Sequence, residues 1–391
     1  MNSFTFWSPT KVIFGEGMAV QAGNEVKAFG GTKALVLYGG GSVVKSGLLD
    51  QVTASLKAEG IEFFSVGGVQ PNPLLEFALQ VIEDFKDQNI DFVLAVGGGS
   101  TIDTAKAVAT GLASDEHPLW DYFCRKVLPK TALPVGAVLT IAAAGSETSD
   151  SAVVTNQAQG MKRGFNTPLN RPQFAIMDPT LTYSLPPFQI ACGIVDILMH
   201  ALDRYFAPDA ENAITDELSE AIMRMVIKYG RLAIDNPTDY KARSEIMWAG
   251  SLTHNGIMGL GQTVDFSIHQ LGSPLSAKYD TAHGASLAAT WAAWARYVYH
   301  VDVARFAKYA RTIWAVTDEN DEAAASAGID ATEAYFRAIG MPITLTEAVG
   351  VQVQDDIDIL TDICTYHGMR SIGTFKVLDA SDIKAIYQAA L

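Results

Sequence analysis

The sequence predicts a two-domain protein, with an N-terminal α/β domain built on a mainly parallel sheet and an all-helical C-terminal domain. Three observations support this. Short apolar runs alternate with helical stretches in the first half, two of these runs end in Gly-Gly-Gly-Ser, and amphipathic helices follow one another from residue 188 onward. Alternating strands and helices are typical of a parallel sheet that is covered by helices on both faces.

The strands of the first domain are predicted from four apolar runs of suitable length, at 34–38, 62–66, 91–96 and 134–140. Helical segments lie between them, for example at 74–89 and 101–113. Ligands of such sheets bind at the carboxyl ends of the strands. We therefore expect the two Gly-Gly-Gly-Ser segments, 39–42 and 97–100, to lie at the binding edge.

The domain boundary is predicted where the alternation stops, near residues 178–187. Pro186 and Pro187 interrupt regular structure there. We assign residues 1–182 to the α/β domain and 183–391 to the helical domain. Helices are predicted in the second domain over roughly 188–207, 210–233, 239–259, 284–299, 301–316, 321–339 and 380–390.

Composition limits the possible partners. The 391 residues are many for one core. The formal net charge of −15 argues against nucleic acid and anionic membranes as partners, since both attract clustered Lys and Arg. The three cysteines lack metal-type spacing, and neither a basic secretory leader nor an 18-residue apolar run is visible. We expect a cytoplasmic protein that binds neither membranes nor nucleic acid.

The loop at Gly97, Gly98, Gly99 and Ser100 follows a predicted strand and opens a predicted helix. Glycines let backbone N–H groups approach a phosphate, and the start of a helix attracts negative charge. A diphosphate is the expected ligand. Asp103 is open to two interpretations, because Ser100 and Asp103 also have the spacing of a helix capping box.

The other loop bears on the choice of cofactor. Enzymes that prefer NAD often place a carboxylate after the corresponding strand to bind the ribose 2′-hydroxyl. Here the strand is followed by Gly39, Gly40, Gly41 and Ser42, and Lys45 is near. This pattern favours NADP(H) over NAD(H), whereas the alternative interpretation is a plain tight turn.

Asp196 and His200 are spaced to project from one face of a helix that reads as buried along most of its surface. A hydrogen-bonded pair would satisfy this pattern. With His269 and His283, however, the pair could also form a divalent metal site of one carboxylate and three imidazoles. Such a site suits Fe(II) or Zn(II).

These motifs together resemble the iron-containing (group III) alcohol dehydrogenases. The resemblance rests on Gly97-Gly-Gly-Ser-x-x-Asp103-x-x-Lys106, Asp178-Pro-x-Leu-Thr, Gly193-x-x-Asp196-x-x-x-His200, His269-x-Leu-Gly and His283-Gly, and it extends from residue 9 to the last helices. The Gly39 loop is similar to the branch of NADPH-dependent aldehyde reductases and butanol dehydrogenases.

The resemblance implies a Rossmann-like N-terminal domain, an all-helical metal-binding domain, and reversible oxidation of a primary alcohol by NADP⁺. It also implies a homodimer. The implied metal ligands, which are also the catalytic centre, are Asp196, His200, His269 and His283. The implied cofactor-binding residues are Gly39, Gly40, Gly41, Ser42, Asn72, Gly97, Gly98, Gly99, Ser100, Asp103, Thr140, Ser146, Val153, Lys162 and Leu181.

The chain departs from the family pattern after the third implied ligand. Many relatives have a histidine where this chain has Ser273, and that histidine is often assigned to proton transfer. His254 could substitute for it, although a histidine of the core or surface is the more ordinary interpretation. Ala142 and Ala144 also stand where relatives have Pro and Thr.

Two alternatives to an NADP-dependent aldehyde reductase remain. One is an NAD-dependent member of the same family that acts on glycerol or lactaldehyde, or a related lyase that resembles dehydroquinate synthase. The other is a sensor that binds NADP without catalysis. The complete set of four implied ligands argues against the sensor.

Overall fold

The computed structural model of the protein describes residues 1–209 and 212–391. The chain forms two compact units. One is Trp7–Leu185, and the other joins Met1–Phe6 to Pro186–Leu391. The first six residues, which the sequence analysis assigned to the α/β domain, therefore belong to the helical unit.

The first unit is an α/β structure. Its strands are β1 (Lys11–Phe14), β2 (Lys33–Tyr38), β3 (Glu62–Val66), β4 (Phe92–Gly97), β5 (Val135–Leu139), β6 (Ser151–Asn156), β7 (Met161–Asn166) and β8 (Phe174–Met177). Its helices are α1 (Ala22–Ala28), α2 (Ser42–Lys45), α3 (Leu48–Ala58), α4 (Leu75–Phe85), α5 (Gly99–Ala113) and α6 (Leu119–Phe123).

Six of these strands form one parallel sheet in the order β1-β8-β5-β4-β2-β3. All six residues of β4 are buried, as expected of a strand with helices on both faces. The chain passes from β2 outward to β3 and then returns to the other side of β2 as β4. The order thus reverses between β2 and β4, and this is where ligands of open α/β sheets bind.

Both Gly-Gly-Gly-Ser segments follow the strands at this reversal. Tyr38, the last residue of β2, pairs with Val96 near the end of β4. The two loops therefore leave neighbouring strands at the same edge of the sheet, as predicted.

An antiparallel hairpin was not predicted from the sequence. Strands β6 and β7 pair from Ser151 opposite Asn166 to Asn156 opposite Met161, and they form a sheet of their own. This hairpin carries two of the implied cofactor residues, Val153 in β6 and Lys162 in β7.

The second unit is helical. Its helices are α7 (Pro187–Tyr205), α8 (Ala213–Asp235), α9 (Tyr240–His254), α10 (Ser267–Tyr279), α11 (His283–Val298), α12 (Val303–Trp314), α13 (Asp321–Ala338), α14 (Leu345–Val349), α15 (Ile357–Cys364) and α16 (Ala380–Ala389). The predicted start of one helix at residue 210 lies outside the described residues.

Helix α10, which carries His269, was not predicted from the sequence. Gly272 and Pro274 interrupt its apolar periodicity, and Pro274 lies inside the helix. Helix α15 was also not predicted. Within the part of the chain that the structure describes, no helix is both long and apolar enough to cross a membrane.

Candidate metal centre and cofactor loops

Helix α7 positions two of the four predicted metal ligands. Residues 193–205 of this helix are buried without interruption. Asp196 and His200 are each only 3% exposed, and they lie one turn apart. Such groups are stable in an apolar interior only if they have polar partners or bind an ion.

Two further helices bring imidazoles to Asp196. His269 lies in the first turn of α10, and His283 is the first residue of α11. The Oδ1 atom of Asp196 lies 3.4 Å from His269 Nε2, 3.6 Å from His200 Nδ1 and 3.6 Å from His283 Nε2. The structure therefore brings all four predicted ligands together around one carboxylate oxygen.

These distances fit one metal ion that is shared by the four side chains. Two ligand atoms that bind one tetrahedral ion at about 2.1 Å lie about 3.4 Å apart. The donor atoms of Asp196, His200 and His269 all lie within 4.8 Å of one another, and His283 lies outside this group of three. Among the described residues, His200 Nδ1 and His269 Nε2 are buried without a hydrogen-bond partner, as expected of nitrogens whose lone pairs serve as ligands.

The pKa values of two of the imidazoles are shifted in opposite directions. Burial, together with neighbouring positive charge, holds the pKa of His200 well below 6.5, so this ring stays neutral. Burial also lowers the pKa of His269, but the carboxylates of Asp196 and Asp203 outweigh it and raise this pKa to about 9. A bound cation would compete with that proton, because a metal ligand must be deprotonated.

Asp203 is a residue of this site that the sequence analysis missed. It is fully buried, and its carboxylate accepts a hydrogen bond of 2.5 Å from His269 Nδ1. It follows Asp196 and His200 along α7 at the spacing i, i+4, i+7, which places all three on one helix face. That spacing was visible in the sequence.

Ser273 is not arranged as a proton relay. Its hydroxyl donates a hydrogen bond of 2.7 Å to the carbonyl of His269, inside the same helix. His254 does reach the metal ligands, since its ring centre lies 4.2 Å from that of His200. Phe266, which has a positive φ of 62°, packs 5.3 Å from the ring of His269.

The glycine loop at residues 97–100 leaves no room for larger side chains. A Cβ on Gly97 would lie 2.3 Å from the hydroxyl of Thr101, and a Cβ on Gly98 would lie 2.2 Å from the side chain of Ile141. The loop therefore runs close to its neighbours. Gly98 caps α5 without a side-chain hydrogen bond, so the start of this 15-residue helix is a suitable place for a phosphate.

The capping-box interpretation of Ser100 and Asp103 is wrong. Ser100 already lies inside α5, and the N-cap of this helix is Gly98, which makes no side-chain cap hydrogen bond. Asp103 accepts hydrogen bonds from Ser146 Oγ at 2.5 Å and from the backbone N–H of Val153 at 3.1 Å. Asp103 thus connects α5 to the segment that precedes and begins the hairpin.

Lys106, one turn further along α5, reinforces this connection. Its buried ammonium lies within 3.4 Å of five oxygen atoms, which belong to Ser146, Ser149 and Ser151. Burial lowers the pKa of Lys106 to about 8, although nearby acidic groups oppose the shift. One side chain thereby fixes the conformation of residues 146–151.

Four other predicted cofactor residues have contacts within the α/β unit. Lys162 Nζ donates a hydrogen bond of 2.8 Å to Asn72 Oδ1, which joins β7 to the loop after β3. The backbone N–H of Thr140 donates to the carbonyl of Gly97 at 3.0 Å. Leu181 packs against the apolar core of the sheet.

The glycine loop at residues 39–42 has free space around its glycines. A Cβ on Gly40 would have no atom within 4 Å, and one on Gly39 would approach nothing closer than 3.5 Å. Ser42 begins α2 and Lys45 ends it, and both side chains are exposed. The Lys45 side chain lies over Gly41, where its Cε would be 3.7 Å from an added Cβ.

Comparison with known proteins identifies the family. Residues 9–179 match the family described as iron-containing alcohol dehydrogenase, and residues 190–391 match the C-terminal domain of the Fe-containing alcohol dehydrogenase family. The chain therefore belongs to the iron-containing alcohol dehydrogenases. It is an enzyme of the alcohol dehydrogenase and aldehyde reductase type, and its family implies a divalent metal and a nicotinamide cofactor.

Two curated relatives match along the whole chain. NADH-dependent butanol dehydrogenase A of Clostridium acetobutylicum is 36% identical over 390 residues, which is 99% of each chain. NADPH-dependent aldehyde reductase YqhD of Escherichia coli is 33% identical over 392 residues, which is 100% of each chain. The crystal structure of NADH-dependent butanol dehydrogenase A from Thermotoga maritima has a TM-score of 0.96 at 37% identity, covering 100% of this chain and 99% of the other.

These comparisons confirm the family and the fold class that the sequence predicts. The relatives differ in their cofactor, since the butanol dehydrogenase uses NADH and the aldehyde reductase uses NADPH by name.

Proposed function

We propose that the protein transfers a hydride reversibly between NADP(H) and a primary alcohol or aldehyde, with one divalent metal, Fe(II) or Zn(II), held by Asp196, His200, His269 and His283. The observation that carries the proposal is the approach of three imidazole nitrogens to within 3.4–3.6 Å of one oxygen of Asp196. The homodimer and the cytoplasmic location stay predictions.

A divalent ion at this centre would polarise the oxygen of the alcohol or aldehyde, and a nicotinamide would exchange the hydride. The residues of the chain supply the charge and the orientation. Asp196 contributes a single negative charge, and His200 stays neutral, so the ligand set leaves net positive charge on a bound divalent ion. Asp103 and Lys106 hold in place the segment from Ser146 to Val153, which carries two of the proposed cofactor residues.

The preference for NADP(H) is proposed from the loop after β2. No carboxylate side chain lies within residues 39–45 to bind a ribose 2′-hydroxyl or to repel a 2′-phosphate. Ser42 offers a hydroxyl, and Lys45 offers a positive charge on the same short helix. A hydrogen bond to a charged group contributes about 1.5–3 kcal/mol, enough to choose between the two cofactors.

The first experiment follows absorbance at 340 nm with NADPH or NADH and butanal. It is repeated after chelation and after Fe(II) or Zn(II) is added back. We expect NADPH to be oxidised faster, and we expect activity to be lost on chelation and restored by metal. Full activity of a His269→Ala variant after chelation would refute the metal role.

The cofactor proposal has a test of its own. Gly39→Asp fits without a clash, because its Cβ would lie at least 3.5 Å from other atoms, and the φ of Gly39 is not in the left-handed region. The new carboxylate should repel a 2′-phosphate and accept from a 2′-hydroxyl. We expect the ratio of kcat/KM for NADPH to that for NADH to fall by about tenfold or more.

Lys45→Met should raise KM for NADPH and leave KM for NADH unchanged. Lys57→Met is the matched control. Lys57 is also an exposed helical lysine, but it belongs to α3 and lies over the ring of Phe63 in β3. Equal effects of Lys45→Met on the two cofactors would refute the role of Lys45.

An NADH-dependent butanol dehydrogenase is the second candidate. The similarity to butanol dehydrogenases that use NADH favours it. Faster oxidation of NADH than of NADPH by the unmodified protein would select it and would leave the metal proposal intact.

A further inference from the structure

We propose that Asp203 is a positioning residue of the metal centre, because its carboxylate fixes His269 in the tautomer that presents Nε2 to the ion. The inference rests on the proposed metal role of His269. Asp203 is fully buried and is hydrogen-bonded to His269 Nδ1, so it would act on the ion through the ring of His269.

Among the described residues, the hydrogen bonds to the carboxylate of Asp203 come from His269 and its neighbour Ile268. The Oδ2 atom accepts from His269 Nδ1 at 2.5 Å and from the backbone N–H of His269 at 3.4 Å. The Oδ1 atom accepts from the backbone N–H of Ile268 at 3.2 Å. The same carboxylate therefore holds both the backbone at the start of α10 and the ring that projects from it.

These contacts decide which ring nitrogen carries the proton. A neutral imidazole has one N–H, and an ionised carboxylate can only accept a hydrogen bond. A bound ion would displace the proton of Nε2, and the remaining proton would then stay on Nδ1. Nε2 is the nitrogen that lies 3.4 Å from Asp196 Oδ1.

Helix α7 thereby controls three of the four ligands. It supplies Asp196 and His200 directly, and it orients His269 through Asp203, which follows on the same face. Partners of this kind typically change metal affinity by about 10–100-fold when they are removed.

The test measures the Kd of Zn(II) for the full-length, metal-stripped protein by competition with a chromophoric chelator. Asp203→Asn keeps the shape, but an amide can donate as well as accept, so it no longer dictates the tautomer. We expect its Kd for Zn(II) to rise about 10–100-fold. A Kd within threefold of that of the parent protein would overturn the proposal.

Asp265→Asn is the matched control. Asp265 is also buried, and its backbone N–H donates to the carbonyl of Asp203. Its own carboxylate accepts only from Ser267, Thr374 and Phe375 among the contacts of the described residues. We expect Asp265→Asn to lower Tm without changing the Kd of Zn(II). Equal losses of zinc affinity in the two variants would reduce Asp203 to a structural role and overturn the proposal.

A second measurement does not depend on how the variants fold. In the Zn(II)-loaded parent protein labelled with ¹⁵N-histidine, NMR should show the ring proton of His269 on Nδ1. A proton on Nε2 would overturn the proposal. Failure of the proposed metal function would give a different result. In that case the parent protein and His269→Ala would bind Zn(II) equally well.

Discussion

Gly284 offers a sharp test of how the helices place the metal ligands. It follows His283 at the start of α11 and lies directly against the backbone of α7. A Cβ at this position would lie 2.2 Å from the carbonyl oxygen of Cys192 and 2.5 Å from its Cα. Non-bonded heavy atoms need about 3.4 Å or more, so Gly284→Ala forces the two helices apart by about 1 Å.

That displacement acts on His283 before any other ligand. His283 Nε2 lies 3.6 Å from Asp196 Oδ1, and Asp196 belongs to α7 itself. Distances from a metal to its ligands are held within about 0.2 Å, so a shift of about 1 Å takes His283 out of reach. We expect the Kd of Zn(II) to rise at least about tenfold, and overpacking should lower the free energy of unfolding by about 1–3 kcal/mol.

The assay combines chelator competition for Zn(II) with thermal unfolding of the metal-stripped protein. Gly328→Ala is the control, because its Cβ would lie 2.5 Å from the Cβ of Ala310 where α13 crosses α12. Neither of those helices carries a predicted ligand. The reasoning is refuted if both variants lose similar stability and Gly284→Ala binds Zn(II) as tightly as Gly328→Ala does.

Three further outcomes are expected. The pKa of His200 is lowered well below 6.5 by burial, so below pH 6.5 the unfolded chain binds a proton that the folded chain does not. Denaturant titrations of metal-stripped protein should therefore show stability falling as pH falls below 6.5, and His200→Asn should reduce that fall. Ser273→Ala should keep kcat within about threefold of the parent value, since the Ser273 hydroxyl is hydrogen-bonded to the His269 carbonyl. A loss of kcat above about 100-fold would show instead that Ser273 acts as a proton relay. Burial raises the pKa of the Cys192 thiol to about 12, so iodoacetamide at pH 8 should leave Cys192 unmodified in folded protein, as peptide mass spectrometry can check.

Much of the fold could be predicted because its signals are local. Four of the eight described strands were predicted. The strand at Glu62–Val66 was predicted at its observed bounds, and the predictions for β2, β4 and β5 agree within one residue at each end. Buried parallel strands are short, continuous and apolar, and glycine marks their ends. The same locality placed both Gly-Gly-Gly-Ser segments at one edge of the sheet.

The elements that were missed depend on contacts distant in sequence. The hairpin of β6 and β7 is held at Val153 by Asp103, which lies 50 residues earlier. Helix α10 contains Gly272 and Pro274, two residues that weaken any local prediction of a helix. Cys364 Sγ lies 3.4 Å from the carbonyl of Gln270, the group that Pro274 cannot bond because proline has no N–H.

Asp203 shows where sequence reasoning could have gone further. Helix α7 is apolar along nearly its whole length, and a helix buried on all sides gives no ordinary place to a charged side chain. Each acidic or imidazole group in it must then have a specific partner. Asp196 and His200 were interpreted in that way, but Asp203 satisfies the same condition at i+7. Applied to every polar residue of such a helix, the rule identifies the ligands together with the carboxylate that orients one of them. It leaves only the partner, His269, to be found from the structure.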